Sequence, residues 1–175
     1  LKALEGAEAC VATASGMSAI LATVMALLRA GEHIVASASL FGATVQLFQN
    51  VLGRFGLETT FVPATDPAAY RAAMRPNTRM VFVETPSNPL TEIVDIAAVA
   101  EIAHGVGATV VVDNVFASPL LQKPLELGAD VVVYSATKHI DGQGRCLGGI
   151  VLGRKTFIEE QLQTLLKHMG PSLSP

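Results

Sequence analysis

A lysine at the mouth of an apolar strand is the residue in this sequence best placed for covalent chemistry. In Val131-Val132-Val133-Tyr134-Ser135-Ala136-Thr137-Lys138-His139, four β-favouring residues run into two small hydroxyl residues and a lysine. Such a run reads as a strand buried on both faces. The Lys138 amine can add to a carbonyl while the hydroxyls of Ser135 and Thr137 hold an anion. Pyridoxal phosphate, with an aldehyde at one end and a phosphate at the other, suits that combination through a Schiff base. The same segment also reads as an ordinary surface lysine following a core strand.

Five further residues fit such a cofactor, each beside a plainer alternative. Gly16 and Met17 fall where a helix begins, so their backbone N–H groups are free for a phosphate and the helix dipole favours one. An ordinary strand-to-helix turn has the same sequence. Asp113 follows Thr109-Val110-Val111-Val112. A carboxylate there can keep a pyridine nitrogen protonated and make the ring an electron sink, or simply cap a helix. Asn88, bracketed by Pro86 and Pro89, can donate to a ring oxygen or form an Asx turn. Phe41, ahead of Gly42, can stack on a flat ring or plug the core.

Other site types fail on spacing. Gly142-Gln143-Gly144-Arg145-Cys146-Leu147-Gly148 is one residue too long for a dinucleotide fingerprint and precedes a strand instead of opening a helix. Gly16-Met17-Ser18 lacks the second glycine of a nucleophile elbow. Two cysteines and four scattered histidines show no metal-ligand spacing and no disulfide framework. A net charge of −3 gives no footprint for nucleic acid, and no basic amphipathic stretch suggests a membrane surface. The uncharged window between Glu8 and Arg29 is interrupted by Thr13, Ser15, Gly16, Ser18 and Thr23, which favours strand, turn and buried helix over a membrane span. A reducing cytoplasm is the expected compartment.

The elements that must position these residues alternate along the chain. Strands are expected at 9–13, 33–37, 57–62, 79–84, 108–112, 131–134 and 147–152. Helices are expected at 18–29, 43–55, from Asp66-Pro67 to before Pro76, from Asp95 to His104, and at 155–169, with the last turn of a helix at 1–6 and a short helix around Leu125. Uniformly apolar strands alternating with helices predict an α/β domain: a mainly parallel seven-stranded sheet with helices on both faces. In such sheets ligands bind outside the carboxyl ends of the strands. Ser15-Gly16, Glu84 to Asn88, Asp113 and Ser135 to Lys138 all fall there.

With Ala14-Ser15-Gly16-Met17, Glu84-Thr85-Pro86-Ser87-Asn88-Pro89, Val112-Asp113-Asn114 and Ser135-Ala136-Thr137-Lys138 in that order, the whole chain resembles the Cys/Met-metabolism family of pyridoxal phosphate enzymes. The resemblance implies the large, cofactor-binding domain of the aspartate-aminotransferase type (fold type I) over residues 1–175. It implies Lys138 as the Schiff-base lysine and Asp113 on the pyridine nitrogen. It places Gly16, Met17, Ser135 and Thr137 on the phosphate, Asn88 on the ring oxygen and Phe41 against the ring face. A homo-oligomer built as a dimer of dimers is implied as well. A neighbouring subunit's phosphate clamp is expected upstream of Leu1 and a substrate-carboxylate arginine beyond Pro175, so the chain reads as a fragment.

Within the family, Lys138-His139-Ile140-Asp141-Gly142-Gln143-Gly144-Arg145 looks most like the O-succinylhomoserine sulfhydrylases, which take an acylated homoserine and sulfide to homocysteine. The alternatives are a cystathionine or methionine γ-lyase, a cystathionine γ-synthase, or a non-catalytic piece. Two departures from the family pattern stand out. Phe41 replaces a tyrosine that can give a proton to a leaving group, and Val115 stands where threonine is common.

Overall fold

Near-continuous burial along the central strands builds this fold around one sheet covered on both sides. The computed structural model describes residues 1–174. Its seven strands are β1 (Ala9–Thr13), β2 (His33–Ser37), β3 (Glu58–Val62), β4 (Thr78–Glu84), β5 (Thr109–Asp113), β6 (Val131–Ser135) and β7 (Gly149–Gly153). They lie in the order β1-β7-β6-β5-β4-β2-β3. All neighbours pair in parallel except β7, which is antiparallel to both β1 and β6.

Successive side chains on a strand point to opposite faces. Ile34, Met80, Phe82, Val111, Val131 and Val133 accordingly enter one core. Their sequence neighbours Val35, Val81, Val83, Val110 and Val112 enter a second core on the other face. Phe48 and Phe82 meet edge to face in the first, with ring centroids 5.2 Å apart, and burying each ring contributes roughly 1.5–3 kcal/mol.

The helices are α1 (Lys2–Glu5), α2 (Gly16–Leu27), α3 (Gly42–Gln46), α4 (Pro67–Ala73), α5 (Ile96–His104), α6 (Ser118–Leu121) and α7 (Gln163–Met169). The first core takes residues of α2 and α7, and the second takes residues of α4 and α5. A wide turn (Leu47–Val51) and a tight one (Leu52–Phe55) carry α3 onward, and another wide turn (Thr156–Leu162) leads into α7.

Local chemistry sets the helix starts. Asp95 Oδ1 accepts the Ala98 N–H at 3.0 Å, and Asp66 Oδ1 accepts the Ala68 N–H at 2.9 Å ahead of Pro67. The second helix departs from expectation at both ends. Ser15 caps it two residues early, and Leu28 is already extended at φ −118° and ψ 154°. Gly31 therefore lies in the following turn, at φ +86°, instead of ending the helix. Helix α6 and a short turn at Ala136–Ile140 were not anticipated by the periodicity. Among the described residues no helix is long and apolar enough to cross a membrane.

Candidate active site

Because β1, β2, β4, β5 and β6 run the same way, their carboxyl ends share one edge of the sheet. Every residue singled out from the sequence follows one of these ends. Gly16 and Met17 follow β1, Phe41 follows β2, Asn88 follows β4, Asp113 ends β5, and Ser135 to Lys138 close β6. The two surface concavities that share Asp130 and Arg154 lie at the opposite edge and hold none of them.

An anion corner forms where α2 meets β6. Ser15 and Ser18 make a capping box: Ser15 Oγ accepts the Ser18 N–H at 3.1 Å and Ser18 Oγ accepts the Ser15 N–H at 2.9 Å. The Ala19 N–H goes to the Ser15 carbonyl. That leaves the amides of Gly16 and Met17 at the open end of a 12-residue helix. Gly16 is required by contact: a Cβ there would sit 2.7 Å from Ser135 Cβ and 3.2 Å from Ser135 Oγ. The Ser135 hydroxyl thus faces the helix end directly. Thr137 is held differently, its Oγ accepting the Gly148 N–H at 3.1 Å. Lys138 follows on the exposed turn, where its φ −91° and ψ −116° break the helical path.

The other half of the site is a pair of buried carboxyl groups. Glu84 and Asp113 are register partners on β4 and β5. Asp113 is 9% exposed and Glu84 4%. Burial first, and then the Glu84 charge, push the Asp113 carboxyl up to about 7, against one opposing hydrogen bond from the Val115 N–H at 3.1 Å. Burial also pushes Glu84 up, opposed by two backbone N–H donors: Phe41 at 2.6 Å and Asn88 at 3.1 Å. The sequence offered Glu84 only as part of a motif. Its link to Phe41 spans 43 positions, and no local pattern announces such a bond. The Phe41 ring itself stays half-exposed.

Pyridoxal phosphate can be tested against these residues directly. Among the described residues no cation pairs with Asp113, so a protonated ring nitrogen would supply the positive partner that this buried carboxyl lacks. Free amides and a hydroxyl at the α2 corner would donate to a phosphate placed there. The residues fit the cofactor.

Over residues 1–175 the chain matches the family described as Cys/Met metabolism PLP-dependent enzyme. It is 57% identical over 175 residues to the O-succinylhomoserine sulfhydrylase of Pseudomonas aeruginosa, covering all of this chain and 43% of that one. It is 46% identical over 176 residues to the L-methionine gamma-lyase of Pseudomonas putida, covering all of this chain and 44% of the lyase. The crystal structure of cystathionine gamma-lyase from Lactobacillus plantarum, complexed with L-serine, superposes with a TM-score of 0.95 at 40% identity, over 99% of this chain and 45% of that one. The chain thus spans less than half the length of these relatives. On its sequence match and its fold, the chain belongs to the Cys/Met metabolism family, whose enzymes depend on pyridoxal phosphate.

Proposed function

We propose that these residues form the cofactor-binding part of an O-succinylhomoserine sulfhydrylase. In that reaction sulfide displaces succinate from the γ-carbon of O-succinylhomoserine, giving homocysteine. The observation that carries this reading is the 57% identity to a sulfhydrylase over the whole chain, against 46% to a methionine gamma-lyase. Phe41 supports it. Carboxylate is a weak base and leaves without an acid, so a stacking ring with no hydroxyl suffices.

When bound, the cofactor draws electrons from the substrate's α-carbon. The chain's own residues prepare that chemistry. Asp113 would hold the proton on the ring nitrogen, and Phe41 would cover one ring face. The Asn88 amide would donate to the ring oxygen. The Gly16 and Met17 amides, with the Ser135 and Thr137 hydroxyls, would hold the phosphate. Lys138 would take the proton from the substrate's Cα and return it along the carbon chain. We read the working protein as a homo-oligomer, because Leu90, Ile93, Phe116, Leu120, Leu121 and Leu147 are exposed apolar side chains suited to a subunit contact.

Product analysis of the full-length protein tests the assignment. With O-succinylhomoserine and sulfide, homocysteine and succinate should accumulate in equal amounts. Release of a keto acid and ammonia at the same rate with or without sulfide would make the protein an elimination enzyme instead.

A further inference from the structure

Glu84 is almost fully buried at the end of β4, and among the described residues no cation pairs with it. What it does have is two backbone donors from separate loops. Its Oε2 accepts the Phe41 N–H at 2.6 Å, from the loop that follows β2. Its Oε1 accepts the Asn88 N–H at 3.1 Å, from the loop that follows β4. Charge-assisted bonds of this kind are the stronger class of hydrogen bond, and in a buried site they resist exchange with water.

The two donors belong to the two residues proposed above to touch the cofactor ring, one on its face and one on its oxygen. A second bridge runs alongside: Ser39 Oγ donates to Glu92, whose N–H in turn donates to Ser87 Oγ at 3.0 Å. Burying a carboxylate is unfavourable, and a fold that needed only to close two loops could use uncharged groups. Here the carboxylate also lies beside Asp113, its register partner.

Resting on the cofactor reading, we propose that Glu84 is a positioning residue: one carboxylate fixes the backbones of Phe41 and Asn88 together, setting the stacking ring and the ring-oxygen donor before the cofactor arrives. Glu84 touches neither cofactor nor substrate in this account. It acts through the two amides.

The test uses the full-length apoprotein and its Glu84→Gln variant. Glutamine keeps the shape but has one acceptor oxygen, so it can satisfy one amide and sets an NH2 against the other. Hydrogen exchange should quicken in peptides covering 38–44 and 86–92 while β5 and β6 keep their protection. The dissociation constant for pyridoxal phosphate should rise roughly tenfold or more. Glu84→Asp, too short to span both amides, should do the same and serves if the glutamine variant does not fold. Unchanged cofactor affinity would overturn the proposal. So would exchange that quickens evenly through β4, β5 and β6, or failure of both variants to fold, since each makes Glu84 a residue of the fold alone. A wild-type protein that takes up no cofactor contradicts the proposed function instead, and leaves the exchange result to judge the clamp.

Discussion

Asp113 sits beside Glu84 with only a backbone N–H for company, and that placement has a thermodynamic sign. Its carboxyl, raised from 3.8 to about 7, binds a proton more tightly folded than unfolded. The stability this confers is present below about pH 4 and is lost as pH climbs through 7, by roughly 4 kcal/mol at most. Asp113→Asn should therefore melt higher than wild type at pH 8 in the apoprotein, with the gap closing toward pH 4, while its cofactor affinity falls. A thermal-denaturation series across pH reads the first, and a cofactor titration the second. At Phe41 the expectation concerns chemistry. Phe41→Tyr supplies a proton for a thiolate leaving group, so it should speed elimination from cystathionine. No gain in a keto-acid assay would count against the account of that ring. The lysine, the aspartate and the proline-flanked asparagine were legible in the sequence because each ends a strand or sits in a turn with a recognisable pattern. Glu84's bond to the Phe41 N–H was not, because that partner lies 43 residues away.

Among the elements, α2 bears most directly on the site. Its first residue touches β6, so Gly16→Ala must push the helix off Ser135, since 2.7 Å between carbon atoms is not tolerated. Overpacking of this kind costs about 1–3 kcal/mol. The phosphate corner should open with it, giving a lower melting temperature together with weaker cofactor binding. A variant that binds as wild type would remove the corner from the site. The strand end opposite the site answers to acid. His33 on β2 is buried between Thr78 Oγ1 at 2.8 Å and Thr60 Oγ1 at 2.9 Å, and burial holds its ring below the usual histidine range. The depressed group contributes stability that is whole above about pH 6.5 and is lost as pH falls. Denaturant titrations should show that loss on the acid side, and His33→Gln should flatten it. Strand positions followed from apolar runs. The reversed direction of β7 did not, because pairing with β1 and β6 is a long-range choice that leaves no periodicity. Gly149 shows why that strand fits. A Cβ there would fall 2.1 Å from the Ser15 carbonyl oxygen, so the close approach of backbones admits only glycine.

At the scale of the molecule, alternation along each central strand places one core on each face of the sheet, and the parallel strands between them deliver chemistry-bearing residues to a single rim. That much follows from apolar runs and punctuation. Which apolar residues stay outside does not, because Leu120 and Leu121 look like core residues in sequence yet are 80% and 84% exposed. If subunits meet there, Leu121→Asp should shift the full-length protein to a smaller species on size-exclusion chromatography while the cofactor-free fold survives. The central claim is that the rim binds pyridoxal phosphate through the amine of Lys138. Borohydride reduction of the cofactor-loaded full-length protein followed by peptide mapping tests it most directly. The account predicts a single phosphopyridoxyl group on the peptide carrying Lys138 and none in Lys138→Ala; a label on another lysine, or no label on the wild type, would contradict it.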